Sequence, residues 1–503
     1  MNFIQNFLET AKKTPEKPAL IYNDTVLTYG ELDKQINRFG NMLARLGVYR
    51  GDRVALMMNN RPEFAVAYYG AVKIGAVIVP VNTFLLEEEL KFQLNDIGAR
   101  VFVGTDWVTM RYAAVEHDVP SLQAAIFTGK QKDYLSMDEM MKEEPESLEC
   151  VETNDDEVAV IKYTSGTTGK PKGAMQTHKN IYAFLRACEN AYGFNPDDMP
   201  ILFVPLFHGF GDHCCMNQVF MAGASMVIMD PFRPDEILSA IQKHKCTYFG
   251  ATPNMLYGLM NWHNADTYDV SSLKYVLTGG GPVSPEITEG FKKKFGVPVL
   301  QGYGMTEGCA GFTFTHPDKP AKESSCGVAL PGVTLRILDE DGKEMPKGEV
   351  GEIWAQSDFN MPGYWNNTEA TQAVYQDGWL KTGDMGKIDE EGYLYIVDRK
   401  KDMIIMSGEN IYPAEIENVL LSHPAVGEAA VIGKPDERRG EIPAAAVVIK
   451  FQAQVTQDEL VEHCKNSLAS FKVPREIKFV DALPKNTQFK VLKRELRKQL
   501  YGA

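Results

Sequence analysis

The chain has 503 residues, 44% of them hydrophobic, enough to fill several cores at roughly 100–200 residues per domain, and this excludes a disordered protein. Its 52 Lys and Arg against 67 Asp and Glu give a formal charge of −15, which excludes a surface that broadly neutralises nucleic-acid phosphates. Any polyanionic ligand must therefore meet a local positive site.

In chain order, the N-terminal stretch MNFIQNFLETAKKTPEKPAL has no basic region leading into a sustained apolar run and small-residue cleavage site. No secretory signal is predicted, and the cytoplasm is the expected compartment. Residues 64–81 are the most apolar long stretch, but Lys73, Gly70, Gly75 and Pro80 interrupt it, which predicts a buried helix followed by a buried strand rather than a membrane span. Short β-branched runs at 158–163, 200–206, 224–230, 274–280 and 297–303 alternate with helix-length amphipathic stretches. That rhythm predicts an α/β fold with largely parallel, buried strands. Over 327–396, Asp-Gly, Pro-Gly and Lys-Gly turns separate short strands, which predicts a β-rich subdomain. After the charged cluster Asp398-Arg399-Lys400-Lys401-Asp402 the pattern is that of a small α+β domain: helix at 413–422, strands near 426–433 and 443–450, helix at 456–469. A boundary at this cluster gives domains 1–398 and 399–503.

The eight cysteines (Cys150, Cys188, Cys214, Cys215, Cys246, Cys309, Cys326 and Cys464) form no CxxC pairs, which suits reduced core thiols. His208, His213, Cys214 and Cys215 lie close together, but their spacing fits no usual zinc-ligand pattern.

The strongest local signal is Tyr163-Thr-Ser-Gly-Thr-Thr-Gly-Lys-Pro-Lys-Gly173, which directly follows a predicted buried strand. Glycines let successive backbone N–H groups converge on an anion, hydroxyls add donors, and Lys170 and Lys172 bring positive charge. It is not a Walker A loop, because Pro171 follows Gly169-Lys170 where Ser or Thr is needed. The same composition also marks ordinary turns.

Together with GYGMTE (302–307), GWLKTGD (378–384), DRKKDMIIMSGENIYPAEIE (398–417) and LPKNTQFKVLKRELR (483–497), this loop resembles the acyl-CoA synthetase branch of the adenylate-forming superfamily. The resemblance runs in order along nearly the whole chain. It implies a large N-terminal domain of two α/β subdomains and a distorted-barrel subdomain, with a small mobile C-terminal domain. It also implies a ligase that uses ATP, Mg²⁺ and coenzyme A to convert a carboxylic acid first to its acyl-AMP and then to its thioester.

Carried over residue by residue, the resemblance assigns Thr164, Ser165, Gly166, Thr167, Thr168 and Lys172 to the β- and γ-phosphates. Tyr303 would stack on adenine beside Gly279, Gly280 and Gly281, Thr306 would bind the α-phosphate, and Glu307 would help hold Mg²⁺. Asp384 would accept from the ribose hydroxyls, with Arg399 near ribose and phosphate. His208 would orient the acid, Lys490 would bridge the acid's oxygen and the α-phosphate, Lys401 would be the hinge, and Gly408 would border the pantetheine path. Lys485 and Lys493 read as solvated, and Asp212 as a residue at the acyl pocket's edge, able to select a polar chain. Loading of a carrier protein and a catalytically weak adenylate-binding regulator are the alternatives. Neither the acid nor the oligomeric state is read from the sequence, which leaves a homodimer open.

Two positions depart from the family pattern. Lys162 stands on the strand where an apolar or amide residue is usual, with nothing in the sequence to explain it. Phe489 stands before the lysine where the family usually has Gly, and Phe does not take glycine's positive-φ conformations cheaply. If Phe489 strains the lysine loop, Phe489→Gly speeds acid-dependent pyrophosphate release. A slower variant would show instead that the ring is part of this chain's own closure.

Overall fold

The computed structural model describes every residue except Met1, Asp24, Gln131, 165–170, Pro282, Pro320, Gly408, Glu437, 486–490 and Ala503. The chain divides into two compact units, Met1–Thr334 with Ala355–Leu380, and Leu335–Trp354 with Lys381–Ala503.

Among the described residues, two mixed sheets organise the first unit. One has seven strands in the spatial order Leu135–Ser136, Ala124–Phe127, Val101–Gly104, Arg53–Met57, Val77–Pro80, Val158–Thr164 and Lys172–Thr177. Its pairs are parallel except the last, the hairpin that encloses the candidate phosphate loop. The other has nine strands, with a parallel centre built from Val299–Tyr303, Tyr275–Thr278, Tyr248–Ala251, Ile201–Leu202, Met226–Ile228 and Pro18–Tyr22. Antiparallel strands flank this centre on both sides. The central strands are continuous β-branched and aliphatic runs because helices must cover both faces of a parallel sheet. Tyr275–Thr278 and Tyr248–Ala251 are accordingly buried at every residue.

The predicted strands at 158–163, 200–206, 224–230, 274–280 and 297–303 are all present as strands. The apolar stretch 64–81 folds as a buried helix, Pro62–Lys73, and a buried strand, Val77–Pro80. No helix among the described residues is long and apolar enough to cross a membrane. Seven cysteines are buried and Cys150 is half-buried.

Local chemistry sets the helix that follows the phosphate-loop hairpin, His178–Tyr192. Thr177 Oγ1 accepts from the Asn180 N–H at 3.1 Å, Asn180 Oδ1 accepts from the Thr177 N–H at 3.0 Å, and Gly193 ends the helix at φ +66°.

The second unit holds residues 335–338, 351–354, 381–388 and 394–399 of a five-stranded sheet, in keeping with the strand-rich reading of this stretch. Beyond it, a second five-stranded sheet is built on the long antiparallel pair Val426–Asp436 and Gly440–Ile449. Helices Pro413–Leu421 and Gln457–Lys465 lie where the periodicity predicts them. Ile416, Leu420, Leu460 and Cys464 bury their apolar faces in a common core with Val431 and Val447.

Candidate active site

The parallel pairing brings loop residues from distant parts of the sequence to one sheet edge. Gly250 pairs with Leu277 and Thr278 with Gln301, so Thr252 and Gly279–Gly281 follow, and Tyr303 ends, neighbouring strands at their C-terminal ends. In open α/β sheets that edge is where ligands bind. Gly279 lies against Gly302, whose carbonyl would be 3.2 Å from a Cβ at position 279. Gly280 has φ +78°, and among the described residues a Cβ on Gly280 or Gly281 would meet nothing within 4 Å. A flat, open backbone surface therefore adjoins the half-buried Tyr303, whose ring centroid is 6.2 Å from that of Phe312.

Glu307 is the focus of this edge. It is 6% exposed, and its Oε1 accepts from the Tyr364 hydroxyl at 2.6 Å, while its backbone carbonyl accepts from the Met361 N–H at 2.8 Å. Tyr364 belongs to a strap, residues 355–365, that also clasps the phosphate-loop hairpin. The Met175 N–H donates to the Gly363 carbonyl at 3.0 Å, and the Trp365 N–H to the Gly173 carbonyl at 2.7 Å. The Lys172 ammonium lies 5.2 Å from the Tyr364 ring centroid. Asn180, the helix-capping residue, fastens the strap's start by donating to the carbonyls of Asp358 and Asn360. Burial and the adjacent Glu307 carboxylate push the Tyr364 phenol well up, so it keeps its proton and remains a donor. Nothing in the sequence marks Tyr364, because an aromatic in a turn-rich segment has no spacing signature.

Thr306 is held from behind. Gln176 Nε2 donates to the Thr306 carbonyl at 3.0 Å, and Gln176 Oε1 lies 2.8 Å from His213 Nε2. His213 Nδ1 is 3.0 Å from Asn217 Nδ2, and Asn217 Oδ1 accepts from the Tyr69 hydroxyl at 2.9 Å. The Asn217 amide serves as donor, which assigns the His213 proton to Nε2. Burial, with the Lys162 charge nearby, pushes this imidazole well below its usual range, so it is a neutral link in the chain. Cys214 and Cys215 are buried beside it as thiols pushed up by burial.

His208 is half-buried, and its Nδ1 accepts from the Phe210 N–H at 3.2 Å. Asp212 is not an open pocket edge that could select a polar chain. It is 0% exposed and forms an ion pair with Lys162, itself 3% exposed. The pair spans 50 residues of sequence and ends the isolation in which Lys162 stood. Burial pushes the Asp212 carboxyl up and the Lys162 ammonium down, and each charge supports the other's ionised form.

In the second unit, Asp384 is buried after Gly383, which has φ +71°, and pairs across the strands with Arg399. Asp384 Oδ1 lies 3.4 Å from Arg399 Nε, and the Asp384 N–H donates to Thr382 Oγ1 at 3.1 Å. Lys401 sits in the exposed turn Lys400–Asp402. Lys485 and Lys493 are not simply solvated: they pair with Glu428 at 2.7 Å and Glu417 at 2.8 Å, because strands and helices remote in sequence supply the carboxylates. Thr164 is half-buried at the end of its strand. Ser165, Gly166, Thr167, Thr168, Gly408 and Lys490 lie outside the described residues.

The family model for AMP-binding enzymes matches residues 7–365, and that for the AMP-binding enzyme C-terminal domain matches 415–490. The chain is 37% identical over 482 residues to the long-chain-fatty-acid–CoA ligase FadD13 of Mycobacterium tuberculosis, covering 95% of this chain and 93% of that protein. It is also 37% identical over 492 residues to the 2-succinylbenzoate–CoA ligase of Bacillus subtilis, covering 97% and 96%. Among solved structures, o-succinylbenzoate CoA synthetase (MenE) from Bacillus subtilis, in complex with the acyl-adenylate intermediate OSB-AMP, superposes with a TM-score of 0.88 at 35% identity, covering 98% and 97%. Its complex with ATP and magnesium ion gives 0.87 at 36%, covering 98% and 99%.

Tyr364→Phe removes one hydrogen bond from a buried carboxylate while leaving the ring in place. It should lower stability by about 1–3 kcal/mol, read from urea unfolding. A variant as stable as the parent would mean that Glu307 does not depend on this hydroxyl.

Proposed function

This chain belongs to the AMP-binding enzyme family, and from that premise we propose how its residues divide the work of joining a carboxylic acid to coenzyme A at the expense of ATP. The enzyme is an AMP-forming acid–thiol ligase. The acid's oxygen attacks the α-phosphorus and pyrophosphate leaves; the CoA thiol then loses its proton, attacks the acyl carbon of the mixed anhydride, and AMP leaves. Charge stabilisation and alignment of the reacting atoms do most of this work.

The observation that carries the assignment of roles is the strap, which joins Glu307 to the hairpin bearing the phosphate loop through Tyr364. A buried oxygen donor tied through the strap to the hairpin strands that bracket a sequence suited to polyphosphate fits Mg²⁺, which favours one or two carboxylates together with phosphate oxygens and water. Bound there, the ion supplies charge neutralisation for the departing pyrophosphate. Thr164, Ser165, Gly166, Thr167, Thr168 and Lys172 hold the outer phosphates. Tyr303 and the open surface of Gly280 and Gly281 take adenine, and Thr306 takes the α-phosphate. His208 orients the acid's carboxylate. Asp384, buried and acceptor-only when ionised, takes the ribose hydroxyls, with Arg399 alongside. Lys490 bridges the acid and the α-phosphate, and Gly408 borders the thiol's path.

Residues 399–503 act as the mobile domain, turning about Lys401 so that Lys490 serves adenylation and is withdrawn for thiol attack. A cytoplasmic location suits an enzyme that draws on ATP and CoA.

The decisive assay incubates acids from acetate through aromatic, alicyclic and long-chain compounds with ATP, Mg²⁺ and CoA. Acid-dependent AMP and pyrophosphate are expected, and ADP with phosphate would refute attack at the α-phosphorus. For the hinge, Lys401→Pro fixes φ near −65° at that position. It should spare single-turnover acyl-AMP formation and cut thioester formation from preformed acyl-AMP at least tenfold. Equal losses in both steps would refute the two-pose mechanism.

A further inference from the structure

The ion pair of Lys162 and Asp212 takes no part in the roles assigned above. Two charges at this depth are costly to take out of water, and apolar side chains of similar volume often replace such a pair without loss of stability. Its position points to a different use. Lys162 is two residues before Thr164, on the strand that enters the phosphate loop. Asp212 directly follows the helical turn Gly209–Gly211 that His208 caps, and its N–H donates to the His208 carbonyl at 3.0 Å. A third segment meets them at Gly209, where an added Cβ would lie 3.6 Å from the Lys162 ammonium nitrogen and 3.1 Å from the Cys309 carbonyl oxygen. The turn itself has no slack, since a Cβ on Gly211 would come within 2.1 Å of the Pro205 carbonyl oxygen. The Asp212 carboxylate reaches Lys162 through Oδ1.

We propose that Lys162 and Asp212 are positioning residues that tie the phosphate-loop strand to the His208 turn and thereby set the bound acid's carboxylate against the α-phosphorus. Neither side chain touches substrate; each acts through the segment that carries it. The kinetic consequence rests on the ligase reading, whereas the tie itself does not.

The test compares the wild-type protein with Lys162→Met/Asp212→Leu by three measurements: Tm, single-turnover acyl-AMP formation at saturating ATP with an acid the wild type uses, and the His208 ring resonances by NMR, assigned with His208→Ala. The expected result is a Tm within a few degrees of wild type, since the apolar pair keeps volume and removes both charges. Acyl-AMP formation should fall at least tenfold with ATP affinity within about twofold, and the His208 resonances should shift or broaden. A folded double variant with wild-type rates or unmoved His208 resonances overturns the proposal. Should the double variant fail to fold, Asp212→Asn, which keeps shape and one acceptor, is judged by the same readouts and the same criteria. A wild type that forms no acyl-AMP from any acid, with His208 displaced in the variant, would refute the ligase reading and leave the tie standing.

Discussion

The hydrogen bond from Tyr364 to Glu307 is the contact on which the arrangement of the first unit's ligand edge depends. A carboxylate at 6% exposure is tolerable only if its oxygens are satisfied, and a phenol buried beside it cannot ionise and become a competing anion. By supplying that donor, the strap 355–365 is drawn onto both Glu307 and the hairpin of the phosphate loop, where its backbone adds two hydrogen bonds. Asn180 then fixes the strap's beginning with the same side chain that starts a helix. The elements that meet here come from both sheets of the unit, so the contact sets their relation at the point where the ligands are proposed to bind.

Charge explains the rest of that edge. A chain of net charge −15 presents little attraction to a nucleotide at long range, and the positive groups must be concentrated where the phosphates go. Lys172 is restrained over the Tyr364 ring rather than dispersed in solvent. Lys162 is different. Its charge is matched by Asp212, so it adds nothing to the attraction for phosphate and is available as a rigid link. Behind Thr306, the chain through Gln176, His213, Asn217 and Tyr69 is built from neutral groups throughout, so it fixes a backbone carbonyl without altering the local charge.

The second unit repeats the pattern of charges held by partners from distant sequence. Asp384 and Arg399 face each other across neighbouring antiparallel strands, Lys400 pairs with Glu352 at 2.9 Å, and Asp398 accepts from the Ala414 N–H at 2.8 Å. Lys400, within the exposed turn Lys400–Asp402, and Asp398, just before it, are therefore both held by partners outside the turn. Lys493 and Glu417 add a further link between the last helix and the helix that follows this stretch.

The strands from 158 to 303, the helix and strand over 64–81 and the helices and long strands after residue 412 were legible in the sequence, because buried parallel strands require apolar β-branched runs and helices require periodicity, both local properties. The sequence by itself also determined the reaction class, because GYGMTE, GWLKTGD and the phosphate loop are contiguous blocks whose resemblance needs no knowledge of contacts. The long-range pairings were not legible there and came from the packing. Tyr364 lies 57 residues from Glu307 and Asp212 lies 50 from Lys162, and no periodicity or composition couples such positions. Asp212 reads as a polar residue of a pocket edge and Lys493 as a solvated cation for the same reason: burial and the identity of a charge's partner are set by which strands and helices are packed together, not by neighbours along the chain.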